Sequence, residues 1–168
     1  MIQIVDTIQG DSFLDIQSAM EIFQLHNPDL AQSEIKLIND GYSKVIILAN
    51  KDDPENIKNT LGVRLESKME LSTQDLIALL SHKDQIQLID EIQGSSYHPI
   101  NTAVEVFKQY NPDLTYYNIQ LVRESDALIV IFADKDRPIG AHGSFGKPGF
   151  EVELNALDLR VKGSYFVR

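Results

Sequence analysis

Apolar residues recur at helical spacing twice in this chain, 84 residues apart. Ile16, Ala19, Met20 and Phe23 fall at i, i+3, i+4 and i+7, and Ile100, Ala103, Val104 and Phe107 repeat the set. Those spacings line one face of an α-helix, which predicts helices over 15–26 and 99–110. Asn27-Pro28 and Asn111-Pro112 end them, because Asn caps a helix well and Pro cannot continue its hydrogen-bond ladder. Pro99 fits a first helical turn.

Each helix is preceded by a β-rich stretch, IQIVDTIQ in one case and IQLIDEIQ in the other, and by a Gly-Asp-Ser or Gly-Ser-Ser turn. Two strands are predicted after each helix, over 34–39 and 44–49, then over 118–123 and 127–133. Asp40-Gly41 is a hairpin signal between the first two. A Lys-Asp-x-Pro turn closes the second strand of each pair.

The resemblance is one of residues as well as pattern. Between 2–54 and 86–138 about 22 of 53 aligned positions are identical without a gap, including Asn-Pro-Asp-Leu and Lys-Asp-x-Pro. An internal duplication is the reading this supports. It divides the chain into a repeat over 1–84 and a second over 85–168. The repeats differ at their ends. Ser72 and Asp75 offer a capping box for a short helix bearing Leu76, Ile77, Leu79 and Leu80, which closes the first repeat. The second has a Gly-rich loop over 139–149, then a terminal hairpin from the alternations Phe150, Val152, Leu154 and Leu157, Leu159, Val161. The expected fold class is α+β, each half one helix packed on an antiparallel sheet.

In element order, one helix followed by a curled antiparallel meander, each half resembles the cystatin-like, NTF2-like and PepSY-type modules. That resemblance implies a small α+β binding module of the kind used by bacterial immunity or inhibitor proteins, and it transfers no functional residue.

Charge narrows the partners. The 168 residues carry 25 acidic and 15 basic side chains, a net of −10. Such a balance disfavours non-specific nucleic-acid binding and anionic membranes, and it suits either solubility alone or steering toward a basic protein partner. Residues 1–84 hold most of it, with Asp52, Asp53 and Glu55 clustered just past a strand. There is no cysteine, which removes thiol chemistry and disulfides. The first residues lack a signal-peptide pattern, and the longest apolar run, Ala127 to Ala133, is too short to span a bilayer as a helix. The expected location is the cytoplasm, a mature periplasmic form being also compatible.

No motif carries catalysis. His26, His82, His98 and His142 have no second His at i+3 or i+4, so no helical metal pair exists, and neither metal, cofactor nor catalytic residue is assigned. The pairs Asp6/Asp90 and Asp52/Asp136 read as turn and strand-end residues. The Gly-rich loop leads into a strand rather than a helix, unlike a phosphate cradle. It still sets His142, Ser144, Phe145 and Lys147 among glycines that permit close approach. Three readings follow. The first is a non-enzymatic module, an immunity or inhibitor protein blocking a basic partner such as a toxin, with Asp52, Asp53 and Glu55 at its contact. The second is a small enzyme or ligand-binding protein with its site at 139–149 or between the repeats. The third is a self-assembling module that pairs through strand edges. Oligomeric state is not legible.

Overall fold

The computed structural model describes residues 2–110, 113–136 and 149–167. Among them are three α-helices and two five-stranded antiparallel sheets, an α+β fold as expected. The chain forms two compact units, Ser12–Ser95 (the central unit) and Met1–Asp11 with Ser96–Arg168 (the flanking unit).

The flanking unit holds β1 (Ile2–Gln9), α3 (Gly94–Phe107, from Ser96 on), β7 (Tyr117–Glu124), β8 (Ala127–Asp134), β9 (Gly149–Asn155) and β10 (Val161–Val167). Its strands run β1-β7-β8-β9-β10 and are called sheet A here. The central unit holds α1 (Gly10–Phe23, from Ser12 on), β2 (Ser33–Asn39), β3 (Lys44–Asn50), β4 (Leu61–Arg64), β5 (Met69–Glu70), α2 (Thr73–Leu80) and β6 (Gln87–Gln93). Its order is β5-β4-β3-β2-β6, sheet B.

The opening strand of each half therefore pairs with the other half. β1 lies on β7 with Ile8 opposite Ile119, and β6 lies on β2 with Ile92 opposite Ile35. The two registers match at the 84-residue spacing, and so do the bulges, at Val5 in one strand and Ile89 in the other. A bulge adds one residue and bends the strand. The compact units are thus cut near 11/12 and 95/96, whereas the sequence repeats meet at 84/85.

The helices begin earlier than their apolar stripes suggest. Gly10 and Gly94, expected in turns, are their first residues, so Pro99 falls sixth in α3 and removes one backbone donor. α1 gives way to a 3₁₀ turn over Gln24–His26, closed by Asn27 in the left-handed conformation at φ 48° and ψ 54°, the geometry Asn tolerates best after glycine. The hairpin loop at Asp40 forms as predicted: Asp40 accepts from the backbone N–H groups of Tyr42 and Ser43, both at 2.9 Å. Strands β4 and β5 escaped prediction; the first is four residues long with a glycine inside and the second only two. The second terminal strand starts at Val161 instead of Leu157. Leu157 is 94% exposed in the turn, and Leu159 takes a left-handed φ of 60°, which ends the alternation.

Each sheet buries one face under a helix. In the flanking unit Phe107 of α3 stacks on Phe132 with centroids 4.4 Å apart and meets Phe150 and Tyr117 at 5.5 and 4.9 Å. In the central unit Phe13, Ile16, Ala19, Met20 and Phe23 of α1 are buried, as are Ile35, Leu37, Ile46 and Leu48 of sheet B. Alternate residues of a strand point to opposite faces, so Ile38, Val45, Ile47 and Ala49 form a second core on the far side of sheet B. Leu71, Leu79 and Ile86 pack against it. The helix that covers this side, α2, starts with the predicted capping box of Ser72 and Asp75. Its Leu76 comes down onto Gly62 of β4, where an added β-carbon would stand 3.0 Å from the side chains of Leu71 and Leu76.

Candidate functional site

Sheet A has the same two faces, and its far side is the candidate site. The register places Thr7, Gln120, Ile131, Glu151 and Tyr165 in one cross-strand row. The next row is Ile4, Val122, Ile129, Glu153 and Gly163. Beyond it lie Ile2, Glu124, Ala127 and Asn155. These side chains share the face opposite the Phe132 and Phe150 core.

The middle of this face is aliphatic and one side is acidic. Val122 and Ala127 are buried, Ile129 and Ile131 are half-buried, and Ile4 on the edge strand is 61% exposed. Glu151 and Glu153 come from the solvent-facing positions of β9, between the buried Phe150, Val152 and Leu154. The pKa of Tyr165 is raised by its hydrogen bond to Glu151, then by burial, then by the charges of Glu151, Glu153 and Glu124. One tyrosine thus senses all three carboxylates. Lys162 stands 3.5 Å from Glu153.

Sheet B makes the contrast. Ile38, Val45 and Ile47 sit 84 residues before Val122, Ile129 and Ile131, and α2 with its flanking segments covers them. Across from Ile47 and Val45, β4 carries Gly62 and Arg64. Across from Ile131 and Ile129, β9 carries Glu151 and Glu153. One sheet offers room for a helix and a cation; the other offers two carboxylates. Among the described residues the flanking unit has one α-helix, α3, and Phe107 of that helix packs on the opposite face.

The acidic loop expected at the contact belongs to the central unit, whereas sheet A belongs to the flanking unit. Asp52, Asp53 and Glu55 are exposed there. Asn50 shapes the turn by accepting from the backbone N–H groups of Asp52 and Asp53 at 2.8 and 3.3 Å. Glu55 is ion-paired with Lys83, whose hydrogen bond and charge hold the Glu55 pKa below its ordinary value. His142, Ser144, Phe145 and Lys147 lie outside the described residues, as does most of the loop over 139–149.

Two cavities open in the central unit. One of about 350 Å³ is lined by Asp40, Tyr42, Arg64, Leu79, His82 and Ile86. Its charges satisfy each other: Arg64 reaches Asp40 at 2.9 Å and also donates to Ser43. Burial pushes the Asp40 pKa up, but the Ser43 and Tyr42 N–H groups and Arg64 outweigh it and the net shift is downward. The other, of about 430 Å³, is lined by His26, Asp29, Asn50, Lys58, Asn59 and Leu61, with His26 2.6 Å from Glu70. Among the described residues no three His, Asp or Glu side chains gather as a metal site. Every buried side-chain nitrogen or oxygen there has a partner. No helix among them is long and apolar enough to cross a membrane.

Comparison with protein-family models, curated proteins and solved structures found no match.

Sequence reading missed the sheet A face. Its signal was present, since Glu151 and Glu153 alternate with Phe150, Val152 and Leu154, but that alternation reads equally as an ordinary solvated strand. What the sequence does not contain is the pairing that sets Glu124 on the same face.

Proposed function

We propose that this chain is a non-enzymatic binding module that engages a basic protein, in the manner of an immunity or inhibitor protein. The observation that carries the reading is the far face of sheet A, an aliphatic stripe flanked by Glu124, Glu151 and Glu153. The half-buried Ile129 and Ile131 with the exposed Ile4 supply apolar area for binding, and carboxylates of one sign steer an oppositely charged partner and set its orientation. Asp52, Asp53 and Glu55 carry negative charge on the central unit and act mainly on encounter.

The test is affinity capture from the native host with the wild type, with E124K/E151K/E153K and with D52K/D53K/E55K. A basic protein held by the wild type and lost with the sheet A triple variant supports the reading. Equal recovery by all three, or an acidic partner, overturns it. Matching circular dichroism of the variants excludes loss of fold.

A further inference from the structure

The far face of sheet A has a counterpart inside the same chain, and that counterpart tells what shape fits it. Ile38, Val45 and Ile47 of sheet B are closed over by α2 and the residues flanking it. The positions 84 residues later, Val122, Ile129 and Ile131, occupy the same rows of an equally ordered sheet. On the third strand, however, Glu151 and Glu153 stand where sheet B has Gly62 and Arg64.

We infer that the partner's contacting element is an amphipathic α-helix with basic residues along one flank, seated on the far face of sheet A as α2 is seated on sheet B. The inference rests on the reading of this chain as a binder of a basic protein and names the element recognised. A helix lays an apolar stripe onto a flat or gently twisted surface, as Leu76 and Leu79 do on sheet B. Over sheet A such a stripe covers Ile4, Ile129 and Ile131. The helix side facing β9 then meets Glu151 and Glu153, and the end near β1 and β7 meets Glu124. Lysine or arginine there pairs with carboxylates, whereas an acidic helix such as α2 itself, with Asp75 in its first turn, is repelled. Arg64 is already paired with Asp40 and Glu153 with Lys162, so Glu151 and Glu124 are the carboxylates that call for a cation on the helix and disfavour an acidic one.

The probe is a synthetic peptide spanning residues 70–88 with T73K, I77K and D84K, which keeps the Leu76 and Leu79 stripe and turns one flank basic. It is titrated into the full chain with isotope-labelled isoleucine methyl groups. The expected result is saturable binding that shifts the Ile129, Ile131 and Ile4 methyl signals. Binding should weaken about tenfold or more in E124K/E151K/E153K and on raising salt from about 0.05 M to about 0.5 M. The unsubstituted peptide and a basic peptide broken by A78P should bind about tenfold more weakly or worse, since one lacks the charge and the other the helix. Shifts confined to Ile38 and Ile47 mean that the peptide displaces α2 from sheet B, and overturn the inference. So do equal binding by the A78P peptide, concentration-dependent self-association that shifts Ile129 without peptide, and a shift of Ile129 and Ile131 on deleting 139–147. If the basic helix fails while the sheet A triple variant still loses the captured partner, the helical shape is wrong and the basic-partner reading stands. If capture is also unchanged, both fall.

Discussion

Gly10 lies against the backbone of Leu114, 104 residues further along the chain. A β-carbon on Gly10 would overlap the Leu114 carbonyl oxygen and stand 2.9 Å from that of Tyr117. Gly94 repeats the relation in the central unit, against the carbonyl oxygens of Leu30 and Ser33. Both glycines sit where a strand turns directly into a helix, so neither backbone can easily give way. Gly10→Ala and Gly94→Ala should each destabilise by about 1–3 kcal/mol or more, as overpacking does, despite alanine's better helix propensity. Gly163→Ala meets nothing within 4 Å and should change stability by less than about 0.5 kcal/mol. Urea melts check all three, and a neutral Gly10→Ala would show that the close approach is absent in solution.

The exchanged strands predict how the chain behaves when cut. Sheet B includes β6 from the second half of the sequence, and sheet A includes β1 from the first. Neither 1–84 nor 85–168 alone can complete its sheet. Separated between Asp84 and Gln85, the halves should be poorly folded singly and should recover cooperative unfolding when mixed in equal amounts. Sedimentation and thermal melts of each half and of the mixture decide it. A half that unfolds cooperatively as a monomer would mean that its opening strand folds back onto its own sheet.

Local signals were the readable part of this fold. The i, i+3, i+4, i+7 stripes located both helices, Asp40-Gly41 located its hairpin, and Ser72 with Asp75 located α2, because each depends on residues a few positions apart. Strand exchange was hidden, since Ile8 facing Ile35 or Ile119 would give the same local pattern. The short β4 was hidden by Gly62, which lowers strand propensity yet is needed under Leu76. The acidic far face of sheet A was hidden for the same reason as the exchange. Glu124 and Glu153 come together only through the pairing of β7, β8 and β9.

Phe107 tests the core of the flanking unit. It is buried to 1% exposure and touches three aromatic rings, among them Phe132 in a stacked arrangement with planes 6° apart. Phe107→Ala should cost about 3–5 kcal/mol, the usual range when a buried phenylalanine is truncated. Phe107→Leu should cost less, because it restores part of the lost volume. Chemical denaturation of both variants measures the difference, and a loss below about 1 kcal/mol for the alanine variant would place the ring outside the core.

Tyr165 gives a pH signature for the acidic face. Its raised pKa means that the folded chain holds the phenol proton more tightly than the unfolded chain does. The associated stabilisation is full below the unfolded value near pH 10 and disappears as pH rises through the higher folded value. Glu151→Gln keeps a hydrogen-bond acceptor but removes the nearest charge, so the Tyr165 pKa should fall toward the ordinary value. Glu124→Gln should lower it less, since that residue contributes only through its charge and ranks last among the causes. Phenolate absorbance, with Tyr165→Phe to assign the signal, follows the titration. A bound basic helix adds cations beside the same carboxylates and should lower the Tyr165 pKa as well. If the pKa is indifferent to Glu151→Gln, the hydrogen bond does not form in solution. If it responds to Glu151→Gln but not to the basic peptide, the helix lies elsewhere.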